Sequence, residues 1–171
     1  MTDPKDFWAR DDQAETWTQA MALFQKGYDL QTQGLWADAM AHYRASIRLH
    51  PMAESHTYLG WVYSFLKLYD EAIEECKRAI QVDPDFGNPY NDIGAYLIEL
   101  GQADEAIPWF ERALTAPRYD ARCYPRYNLG RIYEKKGEWL RAIEQYQLAL
   151  VETPSYDLAR TALIALRARL N

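Results

Sequence analysis

The sequence predicts an all-α helical repeat protein: four helix-turn-helix units in series, closed by one further helix. Three observations predict it. Gly27, Gly60, Gly94 and Gly130 recur at intervals of 33, 34 and 36 residues. Twelve residues beyond each glycine stands an alanine (Ala39, Ala72, Ala106, Ala142), followed four residues later by Tyr43, Cys76, Phe110 or Tyr146. Pro51, Pro84 and Pro154 then close three of the units, because proline cannot continue a helix. A fixed period of this size belongs to stacked supersecondary units, each burying its apolar face against the next.

Residues 1–11 read as a polar N-terminal tail carrying one aromatic pair, Phe7 and Trp8. Asp12-Gln13-Ala14-Glu15 matches a capping box, which starts the first helix about eight residues earlier than a repeat requires. The four repeats cover about 20–52, 53–86, 87–122 and 123–156. Leu30, Tyr63, Leu97 and Tyr133 each follow a repeat glycine by three residues and continue the first helix of their unit. Small residues at Ser46, Ala79, Ala113 and Ala149 lie one turn beyond the bulky second-helix residues, so a neighbouring helix can approach closely.

Turn signals divide the units. Gly34, Gly101 and Gly137 serve as C-caps, and Lys67 stands in that place in the second unit. Pro108 falls near the start of a second helix, where a slight bend is the largest effect expected. Unit three ends at Pro117 and leads into a two-residue insertion alternating Arg and Tyr (Arg118, Tyr119, Arg122, Tyr124), read as a longer turn with Arg stacked on Tyr. Residues 157–171 form a capping helix, with Leu158, Ala162, Leu166 and Leu170 as its apolar stripe.

Composition narrows the function classes. Apolar residues make up 49% and charged residues 26%, the balance of a folded chain. Six Trp and thirteen Tyr exceed the needs of a small core and place rings on a contact surface. The net charge is −6, with 8 basic against 14 acidic groups in residues 1–86 and equal numbers afterwards. Nucleic acid is excluded as a partner, since phosphate neutralisation needs a clustered cationic excess. No apolar run approaches a membrane span, and the polar start lacks a signal peptide, so no membrane partner and a cytoplasmic setting are expected. Cys76 and Cys123 give neither a disulfide framework nor metal spacing.

Leu-Gly-x-x-Tyr in the first helix and Ala-x3-aromatic-x2-Ala-x4-Pro in the second resemble the tetratricopeptide repeat over about residues 20–156. The family's usual tryptophan is replaced by Leu23, His56, Tyr90 and Arg126. The resemblance implies a right-handed superhelical solenoid whose first helices line a concave groove for extended or helical peptides. Carried over residue by residue, it implies peptide-binding sites at Phe24, Tyr28, Thr57, Trp61, Asn88, Asn91, Tyr124, Tyr127, Asn128 and Arg131. The Lys/Asn/Arg clamp by which some relatives hold a C-terminal carboxylate is absent: one register reads Phe24, Tyr28, Tyr58, Asn88 and Asp92, the next Thr57, Trp61, Asp92, Tyr124 and Asn128. An apolar or amphipathic segment held through aromatic anchors is the expectation.

Of His42, His50 and His56, His56 replaces the repeat's packing aromatic and His42 neighbours Tyr43 on a different helical direction, while Cys76 fills a core site, which argues against a metal site; no catalytic triad, phosphate loop or dinucleotide fingerprint occurs. No enzyme activity, cofactor or metal is expected. Two function classes stand: a protein or peptide adaptor, chaperone-like in mode, and a self-assembling structural subunit using the long first helix with Phe7 and Trp8. The expected state is a monomer or weak homodimer.

Overall fold

The computed structural model describes the backbone of residues 4–170 and the side chains of residues 13–170. Among the described residues every regular element is a helix. They form two compact units, Met1–Asp83 and Pro84–Asn171. The first unit holds α1 (Pro4–Thr32), α2 (Trp36–Leu49), α3 (Ala53–Phe65) and α4 (Tyr69–Val82); the second holds α5 (Asn88–Glu99), α6 (Ala103–Thr115), α7 (Cys123–Lys135), α8 (Trp139–Glu152) and α9 (Asp157–Leu170).

Each helix pair is antiparallel and closes by the same device. Gly34, Gly101 and Gly137 adopt φ of 76°, 79° and 77°, and Lys67 adopts 60°. This left-handed residue turns the chain so that the next N–H reaches back across the helix end: Leu35 to the Leu30 carbonyl at 3.0 Å, Leu68 to Tyr63 at 3.0 Å, Gln102 to Leu97 at 2.8 Å and Glu138 to Tyr133 at 2.9 Å. The residue three beyond each repeat glycine is thus the one whose carbonyl receives the closing bond.

The repeat glycines are points of close approach. A methyl group at Gly27 would stand 2.8 Å from the Tyr43 ring, at Gly94 2.6 Å from Phe110 and at Gly130 2.4 Å from Tyr146. At Gly60 it would meet the Ala72 carbonyl at 2.9 Å and Cys76 Sγ at 3.3 Å. The second-helix ring therefore lies flat against first-helix backbone. The alanines one turn before these rings and the small residues one turn after them are fully buried. Ser46 is the polar member of that set: its Oγ donates to the Ala20 carbonyl at 2.8 Å and lies 2.8 Å from Ser55 Oγ, tying α1, α2 and α3 together.

Three expectations change, and the one for Pro108 holds. Helix α1 begins at Pro4, eight residues before the capping box; proline suits a first helical turn because that N–H has no partner there. The side chains of Phe7 and Trp8 lie outside the described residues. Pro108 sits in the second turn of α6, exposed, and removes an N–H from the solvent side without ending the helix. In the insertion, Arg118 stacks not on a tyrosine but on Phe86, 5.2 Å from its centroid. Its backbone pairs with the strand-like segment before α5, with Arg118 N–H to Asp85 at 3.0 Å and Gly87 N–H to Arg118 at 3.1 Å. Tyr119 is buried against Gly87, where a Cβ would lie 2.2 Å from the Tyr119 Cβ.

The third change concerns α9. Its buried stripe is Ala159, Leu163 and Leu166, with Ala162 half-buried, while Leu158 and Leu170 are exposed. A strict four-residue spacing drifts around a helix of 3.6 residues per turn, whereas alternating steps of three and four hold one face. The predicted set 158, 162, 166, 170 could not stay buried along its whole length.

Candidate functional site

Aromatic residues converge on the first-helix side of the first unit. Phe24 of α1 packs against Tyr43 of α2 with centroids 5.7 Å apart and edge-on to Tyr58 of α3 at 5.2 Å. Tyr28, one turn further along α1, meets the same Tyr58 edge-on at 5.7 Å. Phe24 and Tyr58 are half-buried, whereas Tyr28 is 39% exposed. Trp61, 37% exposed, lies edge-on to Phe65 at 4.4 Å, and Phe65 stacks on Trp36 at 4.8 Å. Each outward ring is therefore braced by another ring, in the offset and edge-on arrangements that ring quadrupoles favour.

The second unit repeats the construction. Tyr127 of α7 packs against Tyr146 of α8 at 5.9 Å and edge-on to Tyr156 at 5.5 Å, and Tyr124, 48% exposed, meets Tyr156 edge-on at 5.5 Å. The Arg131 guanidinium lies 5.8 Å from the Tyr127 centroid and donates to Asn128 Oδ1 at 3.4 Å. Asn88, Asn91 and Asn128 are half-buried and Arg131 is exposed.

The phenols are held neutral. Tyr43 donates to Gln31 Oε1 at 2.9 Å and Tyr146 to Glu134 Oε2 at 2.8 Å, each bond joining the residue sixteen beyond the repeat glycine to the residue four beyond it. Burial, then the neighbouring phenols Tyr58 and Tyr28, push Tyr43 far above the usual tyrosine range. Burial and the Glu134 bond do the same to Tyr146, and burial pushes Tyr156 up to about 12. Tyr43, Tyr146 and Tyr156 therefore brace the outer rings as uncharged phenols. On α5, burial outweighs the hydrogen bond from Asn91 and raises the Asp92 carboxyl to about 7. Asn91 Nδ2 donates to Asp92 Oδ1 at 3.3 Å, while Asn91 Oδ1 is buried without a donor.

Within the first unit, then, Phe24, Tyr28 and Trp61 belong to linked ring clusters. Thr57 does not join them: it is buried, 3% exposed, with its hydroxyl donated to the Ala53 carbonyl. In the second unit Tyr124 and Tyr127 share a cluster, with Asn128 and Arg131 on its polar margin. Sequence reasoning passed over Tyr58, Phe65 and Tyr156 as site members. Phe65 was legible, standing four residues after Trp61. Tyr156 was not, since it lies in the connection between α8 and α9, outside any helical spacing.

No helix of the described residues is long and apolar enough to cross a membrane, and among them no three His, Cys, Asp or Glu side chains are grouped to hold a metal ion.

Comparison with known proteins bears on these surfaces. Models described as tetratricopeptide repeat match residues 53–86, 88–120 and 126–155. The cell division cycle protein 27 homolog of Caenorhabditis elegans is 33% identical over 96 residues, covering 56% of this chain and 12% of that protein. The chain spans only 12% to 19% of the length of the first curated relatives it matches. Among solved structures, PilF of Pseudomonas aeruginosa superposes with a TM-score of 0.82 at 21% identity, over 88% of this chain and 68% of that one. YrrB, described as a tetratricopeptide protein with an unusual peptide-binding site, gives 0.67 at 20% identity over 88% and 77%. At these identities the two structures speak for the fold alone. The repeat glycines packed under second-helix rings, the left-handed residue in every turn and the three matching segments agree, and the chain belongs to the tetratricopeptide repeat family.

Proposed function

We propose that this chain is an adaptor that holds a peptide or helical segment of another polypeptide on the aromatic first-helix surfaces of its units, in a chaperone-like manner and without covalent chemistry. The family supports the coarser part, since tetratricopeptide proteins are protein-interaction scaffolds. One observation carries the finer part: Tyr28, Trp61 and Tyr124 are large rings left 37% to 48% exposed, yet each is fixed edge-on by a neighbouring ring. A ring held in place before binding loses little side-chain entropy when a partner covers it. Asn128 and Arg131 add donors and acceptors for a bound backbone at the margin of the Tyr124–Tyr127 cluster.

The test is affinity capture from the native lysate with the wild-type chain beside a Tyr28→Ala/Trp61→Ala/Tyr124→Ala variant of equal helicity. Captured partners are identified and their affinities measured by calorimetry. Loss of the partner with the variant supports the reading. Equal recovery and equal affinity refute it.

A further inference from the structure

The first unit has a second concave surface on the opposite side of α3. The ring cluster uses Tyr58, Trp61 and Phe65. His56, Leu59 and Tyr63 lie about half a turn away, at 100° per residue, and with Ile47 they line a cleft of about 300 Å³ between α2 and α4. Its rim carries three guanidiniums, Arg44 and Arg48 from α2 and Arg78 from α4, against one carboxylate, Glu75. That carboxylate is already engaged on both oxygens, by His56 Nδ1 at 2.7 Å and by Arg78 Nη1 at 2.5 Å. Arg44 donates to the Tyr63 hydroxyl at 2.6 Å, which leaves the phenol's own proton to point elsewhere. Arg48 is exposed and has no partner among the described residues. A cationic surplus thus sits in the half of the sequence that is acidic, 14 groups against 8.

We propose that this cleft binds an acidic peptide segment, seating a glutamate or aspartate carboxylate between Arg44 and Arg48 with an adjacent apolar side chain on Ile47. Two guanidiniums one helical turn apart match the two oxygens of a carboxylate. The Ile47 and Leu59 wall suits a methylene stem or aliphatic neighbour. A phosphoryl group fits less well: the lining residues lie within helices whose N–H groups are used in the helix ladder, so its third oxygen would meet no backbone donor. The site is independent of the aromatic surface.

Fluorescence anisotropy of a labelled peptide alternating Glu and Leu tests the assignment, with Gln-for-Glu and phosphoserine-for-Glu versions as comparisons. The wild-type chain is expected to bind the Glu peptide, more weakly as salt rises, and to ignore the Gln peptide. Arg44→Gln/Arg48→Gln should weaken binding about tenfold, two exposed charge contacts together being worth that factor. Arg48→Gln alone, which breaks no bond in the structure, should show part of this loss, and Trp61→Ala should show none. Affinity for the Glu peptide that is unchanged by the arginine substitutions overturns the proposal, as does loss with Trp61→Ala alone. Selective binding of the phosphoserine peptide would replace the carboxylate assignment with a phosphate one.

Discussion

Replacing Asp92 by Asn should make the second unit more stable, and by an amount that grows with pH. Burial raises the Asp92 carboxyl from 3.8 to about 7, against the smaller opposing effect of the Asn91 hydrogen bond. The folded state then binds a proton that the unfolded state releases over this interval. Stability from this group is fully present below about pH 4, falls as pH rises, and levels off above about pH 7. A difference of about three units at 1.36 kcal/mol each sets the loss at about 4 kcal/mol by pH 8. Asparagine has the same shape, keeps an oxygen for Asn91 Nδ2 and cannot ionise. Urea unfolding followed by circular dichroism, run on both chains between about pH 5 and pH 8, isolates the term as the difference in unfolding free energy. That difference should rise by roughly 1.4 kcal/mol per pH unit up to about pH 7. A difference that stays constant with pH would show that Asp92 is ionised in the folded chain, and would refute the reasoning.

Lys67 occupies a left-handed position filled by glycine in the other three turns, at φ of 60°. Lys67→Gly should stabilise the first unit by roughly 0.5–1 kcal/mol, relief of the left-handed cost being partly offset by the freer unfolded chain; a denaturation midpoint that falls instead would argue against it. Gly130→Ala places a methyl 2.4 Å from the Tyr146 ring and should cost about 1–3 kcal/mol by calorimetry, while near-UV circular dichroism reports a disturbed tyrosine environment. Ser46→Ala removes the hydroxyl shared by Ala20 and Ser55 and should cost about 1–3 kcal/mol, with faster amide exchange in α1 and α3; unchanged exchange there would refute the three-helix tie.

The parts of this fold legible in the sequence are those fixed by backbone geometry. Gly27, Gly94 and Gly130 are needed because a ring lies where a Cβ would be, Gly60 because the Ala72 carbonyl and Cys76 Sγ do, and glycine in the turn because φ is positive. Both constraints act at one position and leave a residue-type signal. The α9 stripe, the cover over Thr57 and the partner of Arg118 depend instead on what arrives from another segment. Leu158 and Leu166 are the same residue type four-residue spacing apart twice over, yet one is 56% exposed and the other fully buried. Site residues divide along the same line. Tyr28 and Trp61 follow from helical register, whereas the brace supplied by Tyr156 comes from a connection and the Arg44–Arg48 cleft from a second helix whose residues no first-helix pattern contains.

The division within α3 follows from its place between α2 and α4. A helix packed between two others has no single solvent face; it buries narrow stripes and leaves strips between them at the edges of the packing. In α3 the buried positions Leu59 and Val62 hold the stack, and the strips on either side emerge toward different neighbours. One strip meets α1 and so gathers rings, because α1 contributes Phe24 and Tyr28. The other meets the rims of α2 and α4, where only long side chains can reach across, and those are Arg44, Arg48 and Arg78. The chemistry of each surface is thereby set by the side chains its neighbours contribute: rings from α1 and α2 (Phe24, Tyr28, Trp36, Tyr43) on one strip, guanidiniums from α2 and α4 on the other. The two proposed binding surfaces thus differ in character while sharing one helix, without enlarging the unit.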